Sequence, residues 1–194
     1  MADQKISAMP SAATLTGTEL IPMVQSGANV KSTLAAFGAY GRGYGAFQDT
    51  TTQTGSTTAG TPFTFNTVDA VDGVTLVSGS RLTIPANGVY DFQWSAQFQN
   101  SGNAPYDCYV WLRINGVDVV GSAGKIGLPA RKDPADPFHS VVGWNFFLTL
   151  TAGQYVEIVW LPTNASITIP AYAAQITPAI PSTASVVVTV NQVG

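Results

Sequence analysis

The sequence predicts an all-β protein built from two antiparallel sheets. Between residues 89 and 99, apolar side chains occupy every second position and polar ones fill the places between, which is the pattern of a half-buried strand. Similar runs recur at intervals of about 8 to 12 residues, as in sandwiches and barrels. Turn dipeptides such as Asn87-Gly88 and Asn115-Gly116 separate them. Nothing between the runs has the period of a long amphipathic helix.

The predicted strands follow one another along most of the chain. In order, they span residues 46–52, 61–66, 75–84, 89–99, 107–114, 117–122, 140–151, 155–162, 165–170 and 184–191. Residues 167–181 are punctuated by prolines, which cannot donate to a sheet ladder. This stretch is therefore predicted to be a surface loop or an arm that reaches a neighbour.

Residues 1–37 form a separate N-terminal segment. Two strand-like runs flank a Ser26-Gly27 turn, and Ser32 or Thr33 is placed to begin a short helical turn. Below about 40 residues a chain usually needs outside help to bury a core. We therefore expect this segment to dock onto another structure.

The remaining chain divides into a connector and a folded domain. Residues 38–46 carry a glycine at every second or third position, which is typical of a connector. Residues 47–194 form the main domain and contain its predicted strands, the first of which begins one residue earlier, at residue 46. At about 150 residues, a domain can bury a substantial core without disulfides or a metal.

Composition excludes several classes of partner. Charged residues make up 10% of the chain, whereas about 25% is usual, although the hydrophobic fraction of 45% is ordinary. The net charge is −3 and the Lys and Arg residues are scattered, so no basic stripe exists for nucleic acid. No apolar run approaches the roughly 18 residues of a membrane span, and no export signal opens the chain. Cys108 has no partner for an internal disulfide and is expected to be a buried thiol.

Several strands carry large apolar side chains on both faces. A strand of this kind in a two-layer domain lies either under a loop of its own chain or against another subunit, and the low charge favours the subunit. The residues predicted for such an interface are Tyr109, Trp111, Phe147, Tyr155 and Val159.

Catalytic and metal chemistry find little support. His139 is the only histidine, and no nucleophile motif accompanies it. Asp133 and Asp136 are close enough in sequence to suggest a glycosidase pair, but the flanking prolines favour a loop. Asp69 and Asp72 could offer oxygens to calcium, yet two carboxylates are not a site and a solvated turn is favoured. We predict no enzyme activity and no cofactor.

The tyrosines expected at the surface are compatible with binding of sugars. Tyr106, Tyr109 and Tyr172, together with abundant Asn and Gln, could form a shallow glycan-binding patch, because an aromatic ring offers an apolar face beside polar groups. Packing in the core or in an interface is the favoured alternative.

Two spaced motifs resemble those of a known family. Residues 82–92 read LTIPANGVYDF, and residues 150–156 read LTAGQYV. The first is similar to the Phe-x-x-Pro-x-x-Gly-x-Tyr-x-Phe motif of the complement globular-head and tumour necrosis factor family, with Leu82 in place of the first Phe. The second resembles that family's Leu-x-x-Gly-Asp-x-Val motif, with Gln154 in place of Asp. The resemblance implies a jelly-roll domain that assembles as a homotrimer around a threefold axis.

The N-terminal segment has a resemblance of its own. Residues 5–25 and 30–34 are similar to the virion-anchoring segment at the start of many tailed-bacteriophage fibre and head-fibre proteins. This implies a protein made in the host cytoplasm and carried on the particle surface, where it contacts other virion proteins. The apolar residues expected to anchor it are Leu15, Leu20, Ile21, Met23, Val24, Leu34 and Phe37.

Three functions follow from these expectations. The first is a homotrimeric virion structural protein, either a capsid decoration or a head fibre. The second is a short tail-fibre adhesin that binds a host surface glycan. The third, a soluble trimeric ligand of host type, is disfavoured because no signal peptide or collagen-like stalk precedes the domain.

Overall fold

A computed structural model describes residues 16, 18–33 and 43–194. Every regular element in these residues is a β-strand, so the all-β prediction is confirmed for the described part of the chain. No helix there is long and apolar enough to cross a membrane. The chain divides into two compact units, Met1–Arg42 and Gly43–Gly194.

The described part of the first unit is a β-hairpin. Strands β1 (Leu20–Gln25) and β2 (Ala28–Thr33) pair antiparallel. Ser26 and Gly27 join them with φ angles of 51° and 79°, as a two-residue hairpin turn requires. The predicted strand, turn and strand are confirmed. Ser32 and Thr33 belong to β2, however, and residues 34–37, where the predicted helical turn would continue, lie outside the described residues.

The second unit contains the other strands. They are β3 (Tyr44–Asp49), β4 (Gln53–Thr54), β5 (Thr61–Pro62), β6 (Thr67–Asp72), β7 (Thr75–Val77), β8 (Arg81–Thr83), β9 (Gly88–Asn100), β10 (Tyr106–Ile114), β11 (Val117–Asp118), β12 (Gly124–Leu128), β13 (Phe138–Leu150), β14 (Tyr155–Pro162), β15 (Ile167–Ile169) and β16 (Val186–Gln192).

These strands form two antiparallel sheets. In the β9 sheet the order is β4-β15-β9-β16-β3-β6, and β13 pairs with β9 along its whole length, from Phe138 opposite Asn100 to Leu150 opposite Gly88. In the β10 sheet the order is β11-β10-β14-β8-β7, with β12 also paired to β10 and β5 to β14.

A single apolar core lies between the two sheets, an arrangement consistent with a β-sandwich. Successive side chains of a strand point to opposite faces, so Phe92, Trp94 and Phe98 of β9 all point inward. Aromatic rings connect the layers, with Phe98 and Trp160 centred 6.3 Å apart and Phe63 5.5 Å from Trp94. Burial of each such side chain contributes about 1.5 to 3 kcal/mol.

The observed strands differ from the predicted ones in several places. Ser78 and Gly79 adopt φ angles of 53° and 71° and divide predicted strand 75–84 into β7 and β8. Strands β4, β6 and β12 lie outside the predicted strands, and β6 contains Asp69 and Asp72, for which the sequence predicts a solvated turn. Strand β3 begins at Tyr44, so the last residues of the predicted 38–46 connector belong to the β9 sheet.

Candidate functional site

The residues predicted for a subunit interface do not share one face. Phe147 lies on the outer face of the β9 sheet, in β13. Tyr109, Trp111 and Tyr155 lie in β10 and β14, on the outer face of the β10 sheet. The inner faces of both sheets meet at the core, so the two outer faces point in opposite directions.

The aromatic residues of the β10 sheet contact partners within their own chain. The guanidinium of Arg81 lies 4.6 Å from the ring centre of Tyr155. The ammonium of Lys125 lies 5.9 Å from that of Tyr109, at the outer limit of a cation–π contact. These rings thus have neighbours without a second subunit.

Val159 is an interior residue of the protomer. Its exposed fraction is 0%. A β-carbon placed on Gly60 would lie 2.6 Å from Cγ1 of Val159 and 2.5 Å from Cζ2 of Trp111, so the chain leading into β5 covers both side chains. Our prediction of Val159 as an interface residue is therefore corrected, since a loop of the same chain covers it.

Ion pairs collect on the outer face of the β10 sheet. The three that lie there join Arg81 to Glu157 at 3.5 Å, Arg113 to Asp118 at 2.8 Å and Lys125 to Asp107 at 2.9 Å. The indole nitrogen of Trp111 also donates to Asp118 at 2.8 Å. This bond, followed by the contact with Arg113, lowers the pKa of the Asp118 carboxyl.

The outer face of the β9 sheet differs from that of the β10 sheet in its lack of basic residues. None of its strands contains a lysine or an arginine. Large apolar side chains are nevertheless exposed there, with both Val141 and Phe147 at 63%. Tyr44 and Val187 add to the exposed apolar surface. We call this outer surface of β13, β9, β16 and β3 the Lys/Arg-free face, which also carries the Asp91 carboxylate opposite Phe147.

Strand β13 is a long edge of this sheet. Among the described residues it pairs only with β9, which leaves its other edge without a partner strand. Trp144 lies at this edge, stacks on Phe146 with ring centres 5.0 Å apart and packs over Gly124. Natural proteins usually shorten, charge or cover a long apolar edge, because such an edge pairs readily with other chains.

A groove opens at the end of the domain where β9 finishes. Its volume is about 560 Å³ and we call it the end groove. The lining is mainly apolar and consists of Pro105, Tyr106, Asp107, Gly127, Leu128, Pro129 and Ala130. The buried side-chain nitrogen of Asn100 holds this wall in place by donating to the carbonyls of Leu128 and Pro129 at 3.3 and 2.9 Å.

The tyrosines of the predicted glycan patch are separated. Tyr106 lines the end groove, and Tyr109, three positions along β10, points to the opposite face. The hydroxyl of Tyr172 donates to Gln99 at 3.1 Å and lies 3.0 Å from Nδ1 of His139. Of these three tyrosines, Tyr106 is the one that lines the end groove.

The candidate carboxylates lie in two different elements, a turn and strand β6. Asp133 and Asp136 close a tight turn, in which the N–H of Asp136 donates to the carbonyl of Asp133 at 3.2 Å. Asp69 lies in β6 and accepts from Gln48 at 2.6 Å. Among the described residues, no group of three or more His, Cys, Asp or Glu is placed to hold a metal ion. Cys108 is buried as predicted, and desolvation raises the pKa of its thiol to about 12.

The predicted anchor residues lie partly within the hairpin. Leu20, Met23 and Val24 are exposed, and Ile21 is half-buried. Leu15, Leu34 and Phe37 lie outside the described residues.

No protein-family model matches the chain, and no curated protein matches it in sequence.

The sequence-based reasoning missed Val141, Trp144 and Val187 as exposed apolar residues. A signal for them exists, because four long strands of the β9 sheet contain no Lys or Arg. Recognising it requires knowing that these strands belong to one sheet.

Proposed function

We propose that this chain is a structural protein of a bacteriophage particle, assembled as a homotrimer and attached through its N-terminal segment. The observation that carries the proposal is the Lys/Arg-free face, which exposes Val141 and Phe147. Permanent interfaces are more apolar than ordinary surface and exclude charge from their centres. Binding, and not bond-making, is the function of such a surface.

The strand order supports the jelly-roll part of the proposal. One sheet reads β6-β3-β16-β9-β13 and the other β7-β8-β14-β10-β12. Each sheet thus takes its strands from both halves of the chain, as two interleaved Greek keys do. The motifs at residues 82–92 and 150–156 lie around β8, β9 and β14, which are central to these sheets.

The homotrimer would place the Lys/Arg-free face and the β13 edge against a neighbouring copy. Phe147 is then the aromatic residue at the centre of the contact, and Trp144, which lies opposite Trp94 on the inner side of β13, is at the edge. Phe147 is retained from the sequence-based hypothesis, whereas Tyr109, Trp111 and Tyr155 lie on the charged outer face of the β10 sheet.

The N-terminal hairpin supports attachment to a larger structure. A two-stranded hairpin is marginally stable in water by itself. Its strands nevertheless carry exposed Leu20, Met23 and Val24. Contact with another virion protein would cover these side chains.

The oligomer is tested by Phe147→Glu. We expect three copies in the unaltered protein by light scattering and monomers in the variant, because the substitution removes an apolar side chain from the contact and places a second carboxylate opposite Asp91. Val120→Glu is the matched control, since Val120 is 100% exposed in the turn after β11. A trimer of unchanged stability in Phe147→Glu would refute the interface.

Attachment is tested by removing residues 1–42, the whole first unit. The shortened chain should remain a folded trimer and should no longer bind purified particles that lack the protein. Retained binding would contradict an N-terminal anchor.

The second candidate function is a tail-fibre adhesin that binds a host surface glycan. The end groove favours it, because an aromatic residue, Tyr106, lines this concave surface. Binding of the purified trimer to extracted lipopolysaccharide, lost in Tyr106→Ala, would support this function. Absence of binding would leave the structural role alone.

A further inference from the structure

The segment between β15 and β16 forms a narrow projection that we call the finger, residues 172–183. Tyr172 and Thr183 exchange backbone hydrogen bonds of 3.0 and 2.9 Å, and Gln175 and Ile180 exchange bonds of 2.8 and 3.1 Å. These two pairs give the projection a ladder of its own. The finger is thus an ordered element and not an open loop.

The tip of the finger is apolar and exposed. Ile176 has an exposed fraction of 92%, and Ile180 has 43%. No charged residue occurs anywhere after Glu157 in the chain. An isolated exposed aliphatic residue is ordinary, but two on a projecting ladder without charge form a surface suited to insertion into an apolar site.

The base of the finger is fixed to the domain. The Tyr172 hydroxyl contacts Gln99 and His139, which lie on β9 and β13. The rings of Tyr172 and His139 also meet edge to face, with centres 6.0 Å apart. Tyr172 therefore holds the finger at one end of the β9 sheet, on its outer side.

The end groove lies at the same end of the domain but on the other side of that sheet. Gln99 and Asn100 are consecutive in β9, so their side chains point to opposite sides. The Gln99 side chain contacts the finger through Tyr172, and the Asn100 side chain contacts the groove wall at Leu128 and Pro129. The finger and the groove therefore lie at the same position along β9, but on opposite sides of the sheet.

We propose that the finger of one copy inserts into the end groove of the next copy around the homotrimer. This inference rests on the proposed trimer and names a contact within it. A cyclic assembly joins two different patches of each protomer, and the ring closes without offset when those patches lie at the same height. The mainly apolar wall of the groove and the uncharged tip of the finger are chemically matched.

Cross-linking between two differently tagged chains tests the contact. One chain carries Ile176→Cys and the other Ala130→Cys, and the co-expressed oligomer is treated with a short bis-maleimide. Native Cys108 is buried and should not react. We expect a covalent product that contains both tags. Val120→Cys replaces Ala130→Cys in the matched control, which should give no such product because Val120 lies beyond β11, away from the groove.

A second variant measures the contribution of the tip. Ile176→Glu should weaken trimer association at least about tenfold, because burial of an isoleucine contributes about 1.5 to 3 kcal/mol. Ile176→Val should leave it nearly unchanged. Ile176 is almost fully exposed, so neither change disturbs the fold of the single chain.

The outcomes separate this inference from the proposed function. A trimer by light scattering that gives no more cross-link than the control and is unaffected by Ile176→Glu would overturn the finger contact and leave the trimer standing. A monomer at all concentrations would overturn the trimer and the finger contact together.

Discussion

Replacing Asn100 with alanine should lower the free energy of unfolding by about 2 to 6 kcal/mol, because four hydrogen bonds of a buried side chain would be lost at about 0.5 to 1.5 kcal/mol each. Asn100 has an exposed fraction of 0%. Its amide nitrogen donates to three backbone carbonyls, those of Ala104 at 3.0 Å, Pro129 at 2.9 Å and Leu128 at 3.3 Å. Its amide oxygen accepts from the N–H of Gly102 at 2.8 Å and from the hydroxyl of Ser166 at 3.0 Å.

The count of four bonds follows from the chemistry of the amide. The nitrogen has two hydrogens, so the longest of its three contacts, to Leu128, shares a hydrogen with another. The oxygen accepts both of its bonds. Loss of the side chain would also leave the carbonyls of the groove wall without their donor.

Urea unfolding provides the measurement, with all proteins at one concentration because association adds to stability. Asn103→Ala is the matched control, since Asn103 is exposed in the same loop and its replacement should change the free energy by no more than about 0.5 kcal/mol. A loss below about 1 kcal/mol in Asn100→Ala would refute the view that this amide organises the end of the domain.

Two further predictions concern the outer face of the β10 sheet. Gly60→Ala should lower the free energy of unfolding by about 1 to 3 kcal/mol, because the added methyl group would overlap Trp111. Gly127→Ala is the control and should be nearly neutral, because the nearest atom to its added methyl group is 3.8 Å away. Equal stability of the two variants would contradict the conclusion that the residues before β5 cover Val159. Asp118→Asn should be less stable than the unaltered protein near neutral pH, and the gap should close in acid. Because folding lowers the Asp118 pKa, its contribution is present above the unfolded value of about 3.9 and is lost as the pH falls through the folded value, so a pH-independent gap in urea unfolding would disagree.

Strand periodicity and turn chemistry were local properties that the sequence determined. The alternation in β9 identified Phe92, Trp94 and Phe98 as core residues, because side chains of a strand point alternately to its two faces. Turns at Ser26-Gly27 and Asn115-Gly116 could be predicted from the sequence, since few residues tolerate positive φ. Strand β6 could not be predicted from the sequence, because its pairing with β3 outweighs the weak β-propensity of its acidic residues.

The composition of each outer face was decided only by the tertiary structure. Strands β3, β9, β13 and β16 come from distant parts of the chain, and only their pairing collects the positions without Lys or Arg on one surface. Tyr109 and Phe147 both looked like interface residues in sequence, yet they lie on opposite sides of the domain. Val159 likewise lies under the residues before β5, a contact between positions about a hundred residues apart. The local sequence shows that a strand has apolar side chains on both faces. Which residues cover each face depends on packing between distant parts of the chain.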